Sequence, residues 1–213
     1  MADRVESGVG RAVAGGIAGI LLAAGRGERY GGAKLLATPP ARAMSARAGP
    51  RGAGECIGAT ACRNLLTVLP RVVAVVRPGD AALAAALGAA GARIVRCASA
   101  DDGMGASLAC GVLATPHAAG WIVALGDMPW IEPSTIARVA TAIGQGAAVA
   151  APFYRGQRGH PVGFGASCFA ALAALAGDEG ARSVVASHRD SVVRIDVDDA
   201  GTLRDVDRSA DLD

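Results

Sequence analysis

Ile17-Ala18-Gly19-Ile20-Leu21-Leu22-Ala23-Ala24-Gly25-Arg26-Gly27-Glu28-Arg29-Tyr30-Gly31-Gly32-Ala33-Lys34 is an apolar run that breaks into a loop with four glycines and three cations. The run Ile17–Ala23 reads as a buried strand. The glycines after it let backbone N–H groups approach phosphate oxygens with no Cβ in the way. Arg26, Arg29 and Lys34 supply positive charge, the arginines as planar forks and the lysine as a point charge. A strand that delivers a polyphosphate loop is therefore predicted. It is not a Walker loop, because Leu35 follows Lys34. Nor is it a dinucleotide fingerprint, because Tyr30 stands at the third glycine position. That failure disfavours an NAD-binding domain.

Outward from this loop, strand and helix patterns alternate. Strands are predicted at 71–76, 92–96, 121–125, 147–154 and 191–197, and helices at 57–69, 81–90, 106–113 and 133–143. Pro133 suits the first turn of its helix. Residues 153–164 cross a Gly/Arg-rich turn as a hairpin, two short helices follow near 167–175 and 180–188, and a helical turn falls near Ala210. Continuous apolar strands alternating with helices predict an α/β fold. Its form is three-layer α/β/α, with a Rossmann-like, mostly parallel sheet covered on both faces. Ligands of such sheets sit beyond the carboxyl ends of the strands. Residues 1–16 read as a frayed extension without a signal-peptide core, and 17–213 as a single domain. Within it, 39–54 is rich in Pro, Ala, Arg and Gly and has no periodicity, which predicts a mobile insertion.

Composition narrows the function. Hydrophobic residues make up 52% of the 213 and aromatics 3%, so the core must be aliphatic and Ala-rich. The net charge of +2 argues against a general nucleic-acid or membrane-surface binder. Five scattered cysteines with no C-x-x-C pair read as reduced thiols of a cytoplasmic protein. No run approaches the ~18 apolar residues of a membrane span. No Ser/His/Asp arrangement or zinc spacing is present.

Asp127 follows the strand 121–125 in Leu125-Gly126-Asp127-Met128-Pro129. A carboxylate at a strand end, facing a phosphate loop, is a natural Mg²⁺ ligand. Gly103 and Gly105 precede a helix start and would leave N–H groups free for a nucleotide, with Ser107 as the contact to base or ribose. Arg77, in Arg77-Pro78-Gly79-Asp80, lies at another strand end, where it either borders the base or simply makes a turn. Asp196, Asp198, Asp199 and Asp207 are C-terminal acidic candidates for a second metal ligand. His117 and His188 read as surface residues.

These stretches together resemble the molybdenum cofactor nucleotidyltransferases. The shared pattern is Leu22-Ala23-Ala24-Gly25, then Arg26-x-x-Arg29-Tyr30-Gly31 and Lys34. Gly126-Asp127-Met128-Pro129 matches that family's metal motif, and Asp102-Gly103-Met104-Gly105-Ala106-Ser107-Leu108 its G-M-x-x-S segment. Arg158-Gly159-His160-Pro161-Val162-Gly163-Phe164 matches its acceptor-side motif, and 203–212 its terminal acidic motif, with Arg208-Ser209 replacing Thr-Pro. The resemblance implies a fold of the nucleotide-diphospho-sugar transferase type. It also implies Mg²⁺-dependent transfer of CMP from CTP to molybdopterin, with release of pyrophosphate. In this picture Leu22, Ala23, Ala24, Gly25, Arg26, Gly27, Lys34, Arg77, Gly103 and Ser107 bind nucleotide, and Lys34, Arg29 and Asp127 act in transfer. Asp127 and Asp207 hold the metal, while His160 and Arg158 position the pterin. Ala24, where guanylyl enzymes carry glycine, points to CTP, with GTP as the alternative. A client molybdoenzyme or its maturation factor is the implied protein partner. A non-catalytic carrier of nucleotide or cofactor is the alternative from another class.

Overall fold

The computed structural model describes residues 15–25, 33–39 and 54–212. Arg26, Gly27 and Arg29 lie outside these residues, as do most of the expected extension and most of the expected insertion. At its N-terminal side the described chain already engages the body at Gly15, whose carbonyl accepts from the Ala119 N–H at 2.8 Å.

Among the described residues, eight strands form one sheet: β1 (Ala18–Leu22), β2 (Val72–Val76), β3 (Arg93–Arg96), β4 (Gly120–Leu125), β5 (Val149–Tyr154), β6 (Gln157–Arg158), β7 (Val162–Gly165) and β8 (Val193–Asp196). Their order is β3-β2-β1-β4-β7-β5-β6, with β8 also paired to β5. The β2, β1, β4 and β3 pairings are parallel, as is β5 with β8. The expected parallel sheet is thus interrupted by β7, which runs antiparallel between β4 and β5. The cause is local. The predicted hairpin turns at Arg155-Gly156, where both residues adopt positive φ, and the chain returns directly instead of through a helix.

The described α-helices that cover the sheet are α1 (Ile57–Leu66), α2 (Ala81–Ala89), α3 (Met104–Leu113), α4 (Pro133–Gly144), α5 (Phe169–Ala173) and α6 (Arg182–Ser187). The strands alternate their side chains between two cores, which is the period-two rule applied to a doubly covered sheet. Leu21, Ala74, Val76 and Ile122 face α1, α2 and α4. Ile20, Val73, Val75, Trp121 and Val123 face α3, α5 and α6. Small residues make close layers possible. A Cβ on Gly111 of α3 would lie 2.8 Å from Ile20, so that helix rests directly on β1. After β8 the chain doubles back, and Val206 and Leu212 bury against Ile57 in a third, small cluster. No described helix is long and apolar enough to cross a membrane.

The residues flanking 40–53 meet: the Ala37 carbonyl accepts from the Ile57 N–H at 2.9 Å. Because the flanks already meet, replacing 40–53 by a short Gly/Ser link shortens the loop to be closed and leaves every described core residue in place. The expected result is a melting temperature within a few degrees of the parent, read by thermal denaturation. Loss of soluble protein would show that the segment is part of the folded body.

Candidate active site

The site is assembled at the carboxyl ends of the central parallel strands. β1 and β4 are neighbours in register, with Leu22 beside Leu125, so Ala23–Gly25 and Gly126-Asp127 emerge side by side. The Gly126 N–H donates to the Leu22 carbonyl at 2.9 Å. A side chain on Gly126 would meet that carbonyl at 3.2 Å and Leu35 at 3.1 Å. Lys34 opens a 3-10 turn, Lys34–Leu36, whose two leucines pack against the core. The apolar residues after the lysine therefore fix where its ammonium can reach.

That ammonium lies between two carboxylates. Lys34 Nζ donates to Asp127 Oδ2 at 2.8 Å and stands 3.7 Å from Asp207 Oδ1. The three residues are far apart in sequence, and the structure brings them together. Asp207 is carried there by the returning C-terminal segment, where the Val206 N–H donates to the Asp127 carbonyl at 2.9 Å. The departure at Arg208-Ser209 leaves this turn intact. Asp211 Oδ2 accepts from the N–H groups of Asp207 and Arg208, at 2.8 and 2.6 Å. Those two N–H groups hold the Asp211 carboxyl below its ordinary range. Asp205 is shifted the other way, first by burial and then by the nearby Asp207 and Asp127 carboxylates, with Lys34 opposing. The site thus concentrates negative charge and compensates it with one lysine.

Of the other acidic candidates, Asp199 is buried and fully used as an anchor. It accepts from the Glu132 N–H at 2.9 Å, from the Thr135 hydroxyl at 2.7 Å and from the Gly201 N–H at 2.9 Å. The last of these is a local Asx-type bond, the one trace of this role in the sequence. Asp196 is exposed and pairs with Arg194 at 2.8 Å. Asn64 is an unforeseen brace. Its amide donates to the Pro129 and Ile131 carbonyls at 2.9 and 3.0 Å, which pins the chain just after Asp127.

A cleft of about 1080 Å³ runs from Lys34 and Asp127 past Ala24 and Gly25 to Gly103 and Ser107. Its size is in the range of small-molecule sites. Arg77 lines it but is also engaged, donating to the Ala24 carbonyl at 2.8 Å and pairing with Asp101. That guanidinium ties the β1 and β2 loops together. The helix start is a correction to the expected free N–H groups. α3 begins at Met104, and the Gly105 N–H is taken by the Gly177 carbonyl at 2.7 Å. The segment 176–178 lies across the helix start, and Asp178 becomes a cleft residue that local pattern did not reveal. Gly103 has φ 117° and ψ −174°, a region open essentially to glycine. A Cβ there would lie 2.4 Å from the Gly177 carbonyl oxygen. Gly103→Ala is therefore expected to cost about 2–4 kcal/mol of stability, from backbone strain and overpacking together. Urea unfolding tests this, and a change below measurement error would refute the close approach.

On the other side of Asp127 lies His160. Its N–H donates to the Thr202 carbonyl at 2.9 Å, and among the described residues its buried Nδ1 has no hydrogen-bond partner. Burial, then the Arg158 guanidinium, lowers its pKa to about 4, with the Asp127 carboxylate opposing. His160 is therefore neutral at physiological pH, with one ring nitrogen free to donate or accept. Arg158 is exposed on β6, near enough for its charge to act on the imidazole.

Among the described residues, no group of three or more His, Cys, Asp or Glu is placed to hold a metal ion. The pair Asp127 and Asp207 nonetheless fits an oxygen-seeking divalent ion. Both are hard carboxylates, a lysine ammonium already stands between them as a cation, and Mg²⁺ commonly takes only one or two carboxylates besides phosphate and water.

The chain is similar to several solved structures. Rv0371c of Mycobacterium tuberculosis H37Rv is 29% identical, with 93% of this chain and 96% of that chain covered and a TM-score of 0.74. A second Rv0371c structure, a complex with manganese, is 25% identical over 85% of this chain and 88% of that one, at a TM-score of 0.65. A nucleotidyl transferase from Methanothermobacter shares the fold at 22% identity and a TM-score of 0.74, covering 92% of this chain and 93% of its own. More distant neighbours include enzymes with the nucleotide-diphospho-sugar transferase type of fold. None of the curated proteins matches the chain significantly. Residues 19–192, from the first strand to the threshold of β8, match the MobA-like NTP transferase domain, and the chain belongs to that family.

Proposed function

We propose that this protein transfers CMP from CTP to the terminal phosphate of molybdopterin and releases pyrophosphate. The observation that carries the transfer chemistry is Lys34 held between Asp127 and Asp207 at one end of the cleft. A triphosphate laid along the cleft would place its phosphates at this end and its base toward Gly103 and Ser107. Lys34, with Arg26 and Arg29 from outside the described residues, would neutralise the phosphates, Gly25 and Gly27 would border them, and Leu22, Ala23 and Ala24 would lie toward the base. Asp127 and Asp207 would hold Mg²⁺. When bound, that ion supplies Lewis-acid neutralisation of charge on the α-phosphate and the leaving pyrophosphate.

The acceptor phosphate is already an anionic nucleophile, so no side chain has to remove a proton from it. Catalysis then rests on alignment and charge neutralisation. His160 and Arg158 would face the acceptor, the neutral imidazole toward a pterin edge and the exposed guanidinium toward its phosphate. Preference for CTP rests on Ala24, whose methyl narrows the cleft beside the base relative to glycine. A client molybdoenzyme or its maturation factor would take the product, in a cytoplasmic setting.

The test is pyrophosphate release with Mg²⁺ and molybdopterin, comparing CTP with GTP. Release with CTP alone supports the reading. Release with GTP alone moves the base preference to guanylyl transfer, and nucleotide binding without release by either identifies a non-catalytic carrier.

A further inference from the structure

We infer that Lys34 blocks the metal-binding carboxylates until a nucleotide arrives, so that divalent ion and triphosphate bind cooperatively. This rests on the reading of Asp127 and Asp207 as the metal pair. The ammonium sits 2.8 Å from Asp127 Oδ2 and 3.7 Å from Asp207 Oδ1. These carboxylates are the groups an oxygen-seeking cation would use. The Lys34 side chain is 13% exposed, so water screens it poorly. A divalent ion on the same carboxylates would be a near neighbour of a positive charge in a partly dry site, and the two repel.

The same lysine also lines the cleft. A triphosphate there offers Lys34 a new anionic partner and draws the ammonium away from the carboxylates. Each ligand thereby removes an obstacle for the other. Linkage makes the effect reciprocal: whatever factor the nucleotide contributes to metal affinity, the metal returns to nucleotide affinity. Lys34 is then a positioning residue twice over, as counter-ion to the empty pair and as phosphate ligand in the loaded site.

The experiment is titration of the full chain with Mn²⁺ alone, without nucleotide, followed by electron paramagnetic resonance and calorimetry. The variants are Lys34→Gln, Lys34→Met, Lys34→Arg and Asp127→Asn, each checked for folding by thermal melting. Lys34→Gln and Lys34→Met are expected to bind Mn²⁺ about tenfold or more tightly than the parent, a factor typical of coupled sites. Lys34→Arg keeps the charge and is expected to stay weak. Having two neutral variants covers the failure of either one to fold. Unchanged or weakened Mn²⁺ binding in a folded neutral variant overturns the inference. So does equal tightening by Lys34→Arg, since charge would then not be the cause. Either result leaves the metal reading standing if Asp127→Asn abolishes Mn²⁺ binding. Undiminished Mn²⁺ binding by Asp127→Asn removes the metal reading, and the inference falls with it.

Discussion

Asp127→Asn is expected to lower kcat/KM for pyrophosphate release by about a thousandfold or more, the scale on which a lost transition-state charge contact is felt. The substitution is isosteric and leaves Lys34 an amide oxygen to bond. The backbone bridge from Val206 to the Asp127 carbonyl is untouched. Stability should fall by no more than about 1–3 kcal/mol, because Lys34 keeps a hydrogen bond to the amide oxygen and retains Asp207 as a charged neighbour. A thousandfold loss of turnover with a melting curve shifted by only a few degrees is therefore the expected signature, from steady-state kinetics and calorimetry run in parallel. Activity within tenfold of the parent would remove Asp127 from the chemistry. The same assay separates the C-terminal acids. Asp207→Asn should follow Asp127→Asn, whereas Asp196→Asn and Asp198→Asn should be near neutral. Asp199→Asn should instead lower stability, because its three donors include two backbone N–H groups at turns.

The second large effect is on stability against pH. The His160 pKa is lowered to about 4 in the folded protein, against an ordinary value of 6.5. Between these values the unfolded chain takes up a proton that the folded chain refuses. The contribution is intact above pH 6.5 and is lost as the pH falls toward 4. Over the full window it amounts to about 3 kcal/mol, by linkage. Acid titration of carboxylates adds its own slope, so the informative quantity is the difference between the parent and His160→Asn. The expected outcome, from urea unfolding at pH 7 and pH 4.5, is that the variant loses about 2–3 kcal/mol less than the parent over this range. Equal losses would place the imidazole in contact with water.

The fold was legible because it is written in short-range patterns. Unbroken apolar strands such as Val72–Val76, with glycine or proline at their ends, fix both element and burial, and the predicted boundaries fall within a few residues of those observed. The antiparallel return is legible in the Gly/Arg-rich turn at Arg155-Gly156, but the place of β7 between β4 and β5 is not, because a strand's neighbours are set by where the sheet leaves room. In the site, Asp127 was visible as a carboxylate placed by a strand end, and the structure sets Lys34 against it. The braces were not visible. Asn64 reaches carbonyls 65 and 67 positions away, and Asp199 reaches residues at similar separations. No local period encodes such contacts. Gly103 and Gly105 read in the sequence as glycines before a helix, but their reason is the chain at 176–178, which no nearby residue announces.

The stitch between Val206 and Asp127 has a temporal meaning. Lys34 and Asp127 are separated by 93 positions, and Asp207 arrives from farther along still. Helices α2 and α3 can form from neighbouring residues alone, but the lysine and its two acids meet only after the widest loops in the chain have closed. A partly folded molecule can therefore show full helical content and still have no place for a nucleotide's charge. On refolding, activity is therefore expected to return no earlier than the helical signal, with chains caught before the stitch forms silent rather than miscatalytic.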